Sequence, residues 1–296
     1  MLRPFALACL LAGLASAETF TFAPEQSQHL KIDGKSYLET MISPHDPANR
    51  EATYKVYTHI YSADGATRIT KGPGGKYTHH RGIFIGWKDT IVNGTDYDTW
   101  HMDNCYQHHV AWKSLEQSDK SATQVETIEW RALEGDKPFI EETRTITANA
   151  EADGLRVIDF TSDLVSKAGT IELKGDLQHA GMQIRMAQEV AEHEDTTQYI
   201  LPEGATEDKD DQVLGGSWAC ANVEISGKRY WVLHMTPKKT FETPVYSVRQ
   251  YARFGSFFEP TLEEGKPLSL TFRIIVSEKE LDRAACEKLY TAYNGS

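Results

Sequence analysis

Residues 268–276 read LSLTFRIIV, and this stretch decides the fold. Its apolar residues fall at every second position: Leu268, Leu270, Phe272, Ile274 and Val276. A period of two predicts a strand with one buried face and one wet face. The same alternation recurs over 170–177, and the runs 124–133 and 139–148 have the spacing of an antiparallel meander. We therefore expect an all-β protein, a large antiparallel β-sandwich.

One helix is predicted after the last strand. Ser277 and Glu280 have the spacing of a capping box, and apolar residues recur at helical spacing over 281–293. We expect this carboxyl-terminal helix to pack on the sandwich. No internal repeat or low-complexity linker divides the chain, so residues 18–296 are expected to form a single β-sandwich domain.

The amino-terminal residues have the pattern of an export signal. Arg3 supplies a positive charge, residues 5–14 form an apolar run, and residues 15–17 read ASA, a small-residue cleavage site. Residues 1–17 are therefore predicted to be a secretory signal peptide, which predicts a secreted or periplasmic protein. No later segment is apolar enough to cross a bilayer.

The charge of the chain bears on its partners. The formal net charge is −12, with 43 acidic against 31 basic residues. An acidic surface repels phosphate backbones and anionic lipids, so neither nucleic acid nor a membrane is expected as a partner. Only three cysteines follow the predicted signal peptide, Cys105, Cys220 and Cys286, so the fold must rest on its core.

Functional side chains concentrate in residues 76–109, which read KYTHHRGIFIGWKDTIVNGTDYDTWHMDNCYQHH. Five of the eleven histidines lie there, beside arginine, carboxylate and tryptophan side chains. Such residues transfer protons, bind metals or contact sugars, and core segments rarely hold so many. The stretch is the main indication of function.

His79, His80 and Arg81 precede the apolar run 83–87, where a loop becomes a strand. Neighbouring residues of a strand point to opposite faces, so His79 and His80 are not expected to reach the same site unless a bulge re-aims one of them. Each histidine is also compatible with a purely structural role inside a core.

The next segment adds candidate ligand-binding residues. Asn93 with Gly94 is a common hairpin turn, so Asn93 has a structural explanation as well. Asp96, Trp100 and His101 follow closely, and an indole beside polar groups is typical of a sugar site. A buried structural tryptophan is an equally good explanation of Trp100.

Two later motifs complete the candidates. His179 follows the alternating run 170–177, in the motif HAGMQIR. Arg249, Tyr251 and Arg253 alternate, so they would share one face of a strand. Such a row could bind a carboxylate or sulfate on a sugar, with tyrosine as proton donor.

Other reaction classes find less support in the sequence. The histidines could bind zinc or copper if they converge, but their spacing matches no metal signature, so no cofactor is predicted and metal binding stays open. The chain has no GxSxG motif, no P-loop and no GxGxxG motif that opens a helix, which argues against serine hydrolysis, nucleotide hydrolysis and dinucleotide binding.

Four motifs carry a family resemblance: THHRGIFIGW, VNGTDYDTW, HAGMQIR and YARFGSFF followed by PLSLTFR. Together they resemble the secreted bacterial proteins labelled PmoA family or "methane oxygenase PmoA", a domain of unknown function. The resemblance implies a sandwich of the galactose-mutarotase-like kind and a place in polysaccharide degradation. It departs at Gly82-Ile83-Phe84, where the family commonly has Ser-Leu-Trp after HHR.

Taken together, the motifs predict a carbohydrate-active enzyme, a lyase, hydrolase or epimerase, for which a glycan is the partner. His80 or His179 would be the general base or acid, and Tyr251 the partner proton donor. The predicted substrate-binding residues are His79, Arg81, Asn93, Asp96, Trp100, His101 and Arg253. Among these, Arg81 and Arg253 would hold an anionic sugar group. The alternatives are a glycan-binding module without catalysis and a histidine-ligated metal enzyme.

Overall fold

The computed structural model describes residues 26–150, 153–208, 212–241 and 244–295. The predicted signal peptide, residues 1–17, lies outside this range. Within it the chain forms strands β1–β21, numbered in chain order, and every strand pairing is antiparallel. The predicted all-β class is confirmed.

The first sheet has nine strands. In spatial order they are β1 (Ser27–Ile32), β2 (Lys35–Met41), β3 (Tyr57–Ile60), β4 (Ile83–Trp87), β12 (Ala180–Arg185), β19 (Arg253–Phe257), β18 (Val245–Val248), β15 (Gln212–Leu214) and β14 (Thr206–Asp208). Its middle strands β4, β12 and β19 come from three distant parts of the sequence. This sheet therefore brings the separate motifs of the chain side by side.

The second sheet has eight strands. In spatial order they are β13 (Gln198–Ile200), β16 (Trp218–Ile225), β17 (Lys228–Met235), β21 (Leu268–Ser277), β10 (Arg156–Ser166), β9 (Pro138–Ala150), β8 (Ser121–Ala132) and β7 (Cys105–Gln117). Strands β7 to β10 are consecutive antiparallel neighbours, so the predicted meander is confirmed.

A third sheet has four strands, in spatial order β20 (Thr261–Leu262), β11 (Ile171–Lys174), β5 (Asp89–Val92) and β6 (Thr95–Tyr97). Strand β11 is shorter than the predicted 170–177, and Leu177 is exposed. Strands β5 and β6 form a hairpin through Asn93 and Gly94, which have φ values of 50° and 81°. These left-handed values are those of a type I′ turn.

The two large sheets pack face to face over one core. Alternate residues of LSLTFRIIV, Leu270, Phe272, Ile274 and Val276, lie in that core. Trp87 of β4 meets Trp130 of β8 across it, with ring centroids 6.0 Å apart. The predicted sandwich is therefore confirmed, and the period-two pattern gave the correct buried face.

The carboxyl-terminal helix is α2 (Arg283–Asn294), and it packs on the outer face of the second sheet. The capping-box prediction was wrong. Asp282 is the N-cap and accepts from the Ala285 amide at 2.8 Å, whereas Ser277 ends β21 and its hydroxyl bonds to Lys279. A local turn after the strand competed for the serine hydroxyl. The described part of the chain also contains α1 (Arg50–Thr53) and 3-10 turns at Pro47–Asn49, Glu134–Asp136, Gln188–Glu192 and Glu194–Thr196.

Candidate functional site

The candidate site lies on the face of the nine-stranded sheet that points away from the core. Strand β4 turns Ile83, Ile85 and Trp87 into the core and Phe84 to the opposite face. There Phe84 packs edge-on against Trp100, with centroids 5.0 Å apart. Four histidines gather over this face, and we name His79, His80, His101 and His179 the histidine cluster.

The rings of His79 and His80 are in contact, with centroids 4.1 Å apart. The strand-based expectation that they diverge was wrong, because β4 begins only at Ile83 and the histidines occupy a turn. His79 in turn contacts His101, at 4.3 Å between centroids, and His101 contacts His179 at 5.1 Å. The cluster is thus continuous from His80 to His179.

His80 forms the floor of the cluster. It is 2% exposed, and neither ring nitrogen has a hydrogen-bond partner. Burial lowers its pKa well below the ordinary value, and the neighbouring His79, Arg253 and Arg185 add to that shift. His80 is therefore a neutral imidazole with one unused donor and one unused acceptor, an arrangement that is costly unless a ligand completes it.

His101 and His179 are each held by an aspartate three residues earlier. The Nδ1 atom of His101 lies 2.7 Å from Asp98 Oδ2, and that of His179 lies 2.6 Å from Asp176 Oδ1. A carboxylate accepts a hydrogen bond from the Nδ1–H group, so in the neutral ring each Nε2 atom is an acceptor. Both imidazoles are about a quarter exposed, with side-chain values of 28% and 25%, so they form the rim of the site.

Two tyrosines cover the other side of the cluster. Tyr77 and Tyr251 have ring centroids 4.8 Å apart, and Tyr77 is 44% exposed. The Tyr251 ring lies nearly parallel to that of His80, at 6.0 Å and 10°. These rings, rather than Trp100, give the site its accessible aromatic surface, since Trp100 is fully buried.

Arg185 and Arg253 lie below the tyrosines, and we name them the arginine pair. They face each other across β12 and β19 and are 0% and 1% exposed. All three guanidinium nitrogens of Arg185 lack a hydrogen-bond partner, and its guanidinium lies 4.8 Å from the Tyr251 ring centre. Burial lowers the pKa of Arg185 to about 10.

Two buried lysines hold the loops of the site. Lys55 Nζ donates to the carbonyl oxygens of Trp100 and His79, at 2.6 and 3.3 Å. Lys71 Nζ donates to Gly72 O at 3.0 Å. Burial and nearby cationic side chains lower the pKa of both lysines to about 7. Each ammonium group therefore loses its proton more readily than that of a solvated lysine, while its hydrogen bonds hold the loop carbonyls.

The backbone around the site is strained. Eight non-glycine residues of the described chain have positive φ. Four of them adjoin a glycine in a turn: Asp33, Asn93, Asp136 and Ser226. The other four lie in loops that carry site residues: Tyr77, Met102, Asn104 and Ala252. Strain of this kind persists where the surroundings impose it, and it concentrates at functional sites.

Three predicted site residues lie apart from the cluster. Arg81 is buried against the Tyr54 ring, donates to Thr78 O at 2.9 Å, and pairs with Glu51 at 3.3 Å. Asn93 and Asp96 are exposed on the β5–β6 hairpin, where none of the described contacts joins them to the cluster. The structure brings together His79, His80, Trp100, His101, His179, Tyr251 and Arg253.

Sequence reasoning missed Arg185, Lys55, Tyr77 and the two aspartates. The sequence does contain a pattern that predicts the two aspartates. Residues 98–101 read DTWH and residues 176–179 read DLQH, so in both segments an aspartate precedes a histidine by three positions. Arg185 lay in the motif HAGMQIR, but its partnership with Arg253 depends on strand register.

Across residues 26–150, 153–208, 212–241 and 244–295, no group of three or more histidine, cysteine, aspartate or glutamate side chains has the geometry to hold a metal ion. In the same part of the chain, no helix has the length and apolar character that crossing a membrane requires.

Comparison with known proteins gives a family and several similar folds. Residues 27–291 match DUF6807, a family of unknown function, and nothing in the match carries the PmoA label. No curated protein sequence matches the chain.

Among solved structures, the GalM/aldose epimerase homologue from C. elegans is similar at 8% identity and a TM-score of 0.40, over 85% of this chain and 98% of that one. Heparan sulfate lyase HepC from Pedobacter heparinus is similar at 8% identity and a TM-score of 0.33, over 82% of this chain. A putative kojibiose phosphorylase from human microbiome is similar at 13% identity and 0.33, over 93% of this chain. The chain spans only 33% and 34% of the last two proteins.

Proposed function

We propose that this chain, which belongs to DUF6807, a family of unknown function, is an exported enzyme that acts on glycans by acid–base chemistry. The observation that carries the proposal is His80, a buried neutral imidazole whose two ring nitrogens have no partner. Export rests on the predicted signal peptide of residues 1–17.

His80 is suited to accept a proton from a bound substrate. A neutral imidazole has one free lone pair, and burial, together with the cationic side chains nearby, keeps His80 neutral below the usual histidine pKa. The Tyr251 ring lies nearly parallel to that of His80, with the centroids 6.0 Å apart. A phenol can donate the proton that a departing sugar oxygen needs, so the two groups supply a base and an acid.

His179 supplies a second proton carrier at the rim. Asp176 orients its ring, and burial lowers its pKa, against the opposing effect of Asp176. In our proposal His179 and His101 bind substrate hydroxyl groups through Nε2, and His79 lies between them and His80. The site then runs from an exposed rim to a buried reactive floor.

A sugar fits the composition of this opening. Tyr77 and Tyr251 offer partly exposed ring faces, which stack on the apolar face of a pyranose. The imidazole acceptors at the rim match sugar hydroxyl donors. Aromatic surface beside directional polar groups is what a carbohydrate requires, and it supports a glycan as the substrate.

The test is turnover of neutral, uronate-rich and sulfated glycans in D₂O, followed by mass spectrometry. Hydrolysis adds water, elimination leaves an unsaturated end, and epimerisation introduces deuterium at the reacting carbon. We expect His80→Gln and Tyr251→Phe to lower the rate by roughly a hundredfold or more, since general acid–base groups contribute on that order.

His109→Gln is the matched control, because His109 belongs to the same histidine-rich stretch but lies on β7, paired with Glu126 at 2.9 Å. It should keep the wild-type rate. Equal rates for wild type and His80→Gln would refute the assignment of His80. If glycans bind but no product forms and no deuterium is incorporated, the protein is a glycan-binding module and the proposed enzyme is refuted.

A further inference from the structure

Neither arginine of the pair forms an ion pair with a described residue. In the register of β12 and β19, Arg185 lies directly opposite Arg253, so both side chains project from the same face of the sheet. Both are almost completely buried. Ion pairs are formed by other arginines, among them Arg50, Arg68, Arg81, Arg131, Arg144, Arg229 and Arg273.

The hydrogen-bond partners that the pair has are neutral. Arg253 donates to Gln183 Oε1 at 3.2 Å and to Ser247 Oγ at 2.9 Å, and its Nε has no partner. The charge of Glu194 reaches Arg185, but Glu194 itself pairs with Lys76. A buried guanidinium without a counter-charge costs several kcal/mol, which is tolerable where a bound ligand supplies the anion.

Arg144 is a buried arginine with a structural role, and its hydrogen bonds can be compared with those of Arg185. It is also 0% exposed, but its Nε and Nη2 atoms donate to both carboxylate oxygens of Glu142, at 2.8 and 2.9 Å. The Glu142 oxygens also accept from Ser162 and Trp130. Arg185 has no such arrangement, although it is equally buried.

We infer that the arginine pair binds the carboxylate of a uronic acid residue, which makes the substrate of the proposed enzyme a uronate-containing glycan. The reaction in this inference rests on the proposed function, whereas the binding of the carboxylate does not. Two guanidinium groups on one face match the planar, two-oxygen geometry of a carboxylate. His80 lies close enough for both arginines to influence its charge.

This placement gives the base a specific proton to remove. The hydrogen on the carbon next to a carboxylate becomes more acidic when cations neutralise the carboxylate, because the charge of the carbanion spreads onto its oxygens. His80 takes that proton. In elimination the electron pair forms a C=C bond, the C–O bond to the neighbouring sugar breaks, and Tyr251 protonates the departing oxygen. In epimerisation a proton returns to the same carbon from the other face.

The experiment measures binding by calorimetry, independently of turnover. The ligands are oligomers of galacturonate, mannuronate and glucuronate, the same oligomers with carboxylates reduced to alcohols, and a sulfated neutral oligosaccharide. Wild-type protein should bind at least one uronate oligomer roughly tenfold to a hundredfold more tightly than its reduced form. Arg185→Gln should remove that preference, and Arg185→Lys should keep part of it.

Arg273→Gln is the control, since Arg273 on β21 pairs with Asp159 away from the site. It should leave the preference unchanged. The inference is overturned if uronate and reduced oligomers bind alike, if no uronate binds, or if only the sulfated ligand shows dependence on Arg185. The comparison of ligands on wild-type protein stands even if a variant fails to fold.

The two proposals can fail separately. Uronate binding that depends on Arg185, without any product or deuterium incorporation, would keep the carboxylate site and refute the enzyme. Turnover of a neutral glycan that depends on His80, without a preference for uronate, would keep the enzyme and refute the carboxylate site.

Discussion

Arg185 and Arg253 face each other across neighbouring antiparallel strands, and together they form a buried pair of like charges. The next layer contains Tyr251, whose ring lies 4.8 Å from the Arg185 guanidinium. A cation–π contact offsets only part of the desolvation of an arginine. The buried arginine pair therefore lowers the free energy of unfolding, and a bound anion would offset this loss.

This cost predicts an unusual effect on stability. Arg185→Met should stabilise the ligand-free protein by about 1–4 kcal/mol, because it removes a buried charge without removing an ion pair. Arg144→Met is the contrasting variant, and it should destabilise by about 3–5 kcal/mol, since it leaves Glu142 buried and unpaired. Urea unfolding measures both changes. A loss of stability in Arg185→Met as large as that in Arg144→Met would contradict the unpaired state of Arg185.

Acid should destabilise the protein through its buried neutral histidines. Burial lowers the pKa of His234 to about 3 from its ordinary value of 6.5. Between these values the unfolded state binds a proton that the folded state does not, so the free energy of unfolding falls as pH falls through this window. One such group contributes a slope of about 1.4 kcal/mol per pH unit.

His234→Gln should therefore reduce the slope of unfolding free energy against pH by about that amount between pH 6 and pH 4. The slope is the readout because the substitution also changes the hydrogen bond to Tyr246, at 3.0 Å, which shifts stability at every pH. A slope equal to that of the wild type would show that His234 is not the group that titrates.

The aspartate that holds His179 should set its charge. Burial lowers the pKa of His179, and the negative charge of Asp176 opposes that shift. Asp176→Asn keeps a side chain that can accept from the Gln178 amide but loses the charge. We expect the pKa of His179 to fall further when the charge is removed, as measured by NMR titration. As a control, the NMR signals of His234, on β17, should not move. An unchanged pKa of His179 would show that Asp176 does not set its charge.

Gly86 allows the loop with Trp100 to lie on the sheet. A Cβ atom at Gly86 would come within 2.4 Å of Thr99 O and 3.3 Å of Trp100 Cα, both in the backbone. Gly86→Ala should cost about 1–3 kcal/mol and displace this loop, with a change in near-ultraviolet circular dichroism.

Gly216→Ala is the control for this substitution, since its nearest contact is an ordinary 3.4 Å. It should change stability by less than about 1 kcal/mol and leave the spectrum intact. Equal effects of the two substitutions would mean that Gly86 is not required for the position of the Trp100 loop.

The sequence by itself determined the local structure of most strands. Alternation over residues 268–276 selected the buried face of β21, because side chains of a strand point alternately to its two sides. Asn93-Gly94 set a hairpin, because both residues tolerate positive φ. The signal peptide and the resulting localisation stay predictions, and so do the chemical roles of the site residues.

Only the tertiary structure decided which residues form the site. His80, His101, His179 and Tyr251 lie in four separate loops, and no local pattern states that these loops converge. Arg185 faces the site rather than the core because its strand pairs in register with β4 and β19, and that register follows from packing the opposite face. Periodicity is local and can be read from the chain, whereas strand neighbours depend on burial that residues far apart in sequence achieve together.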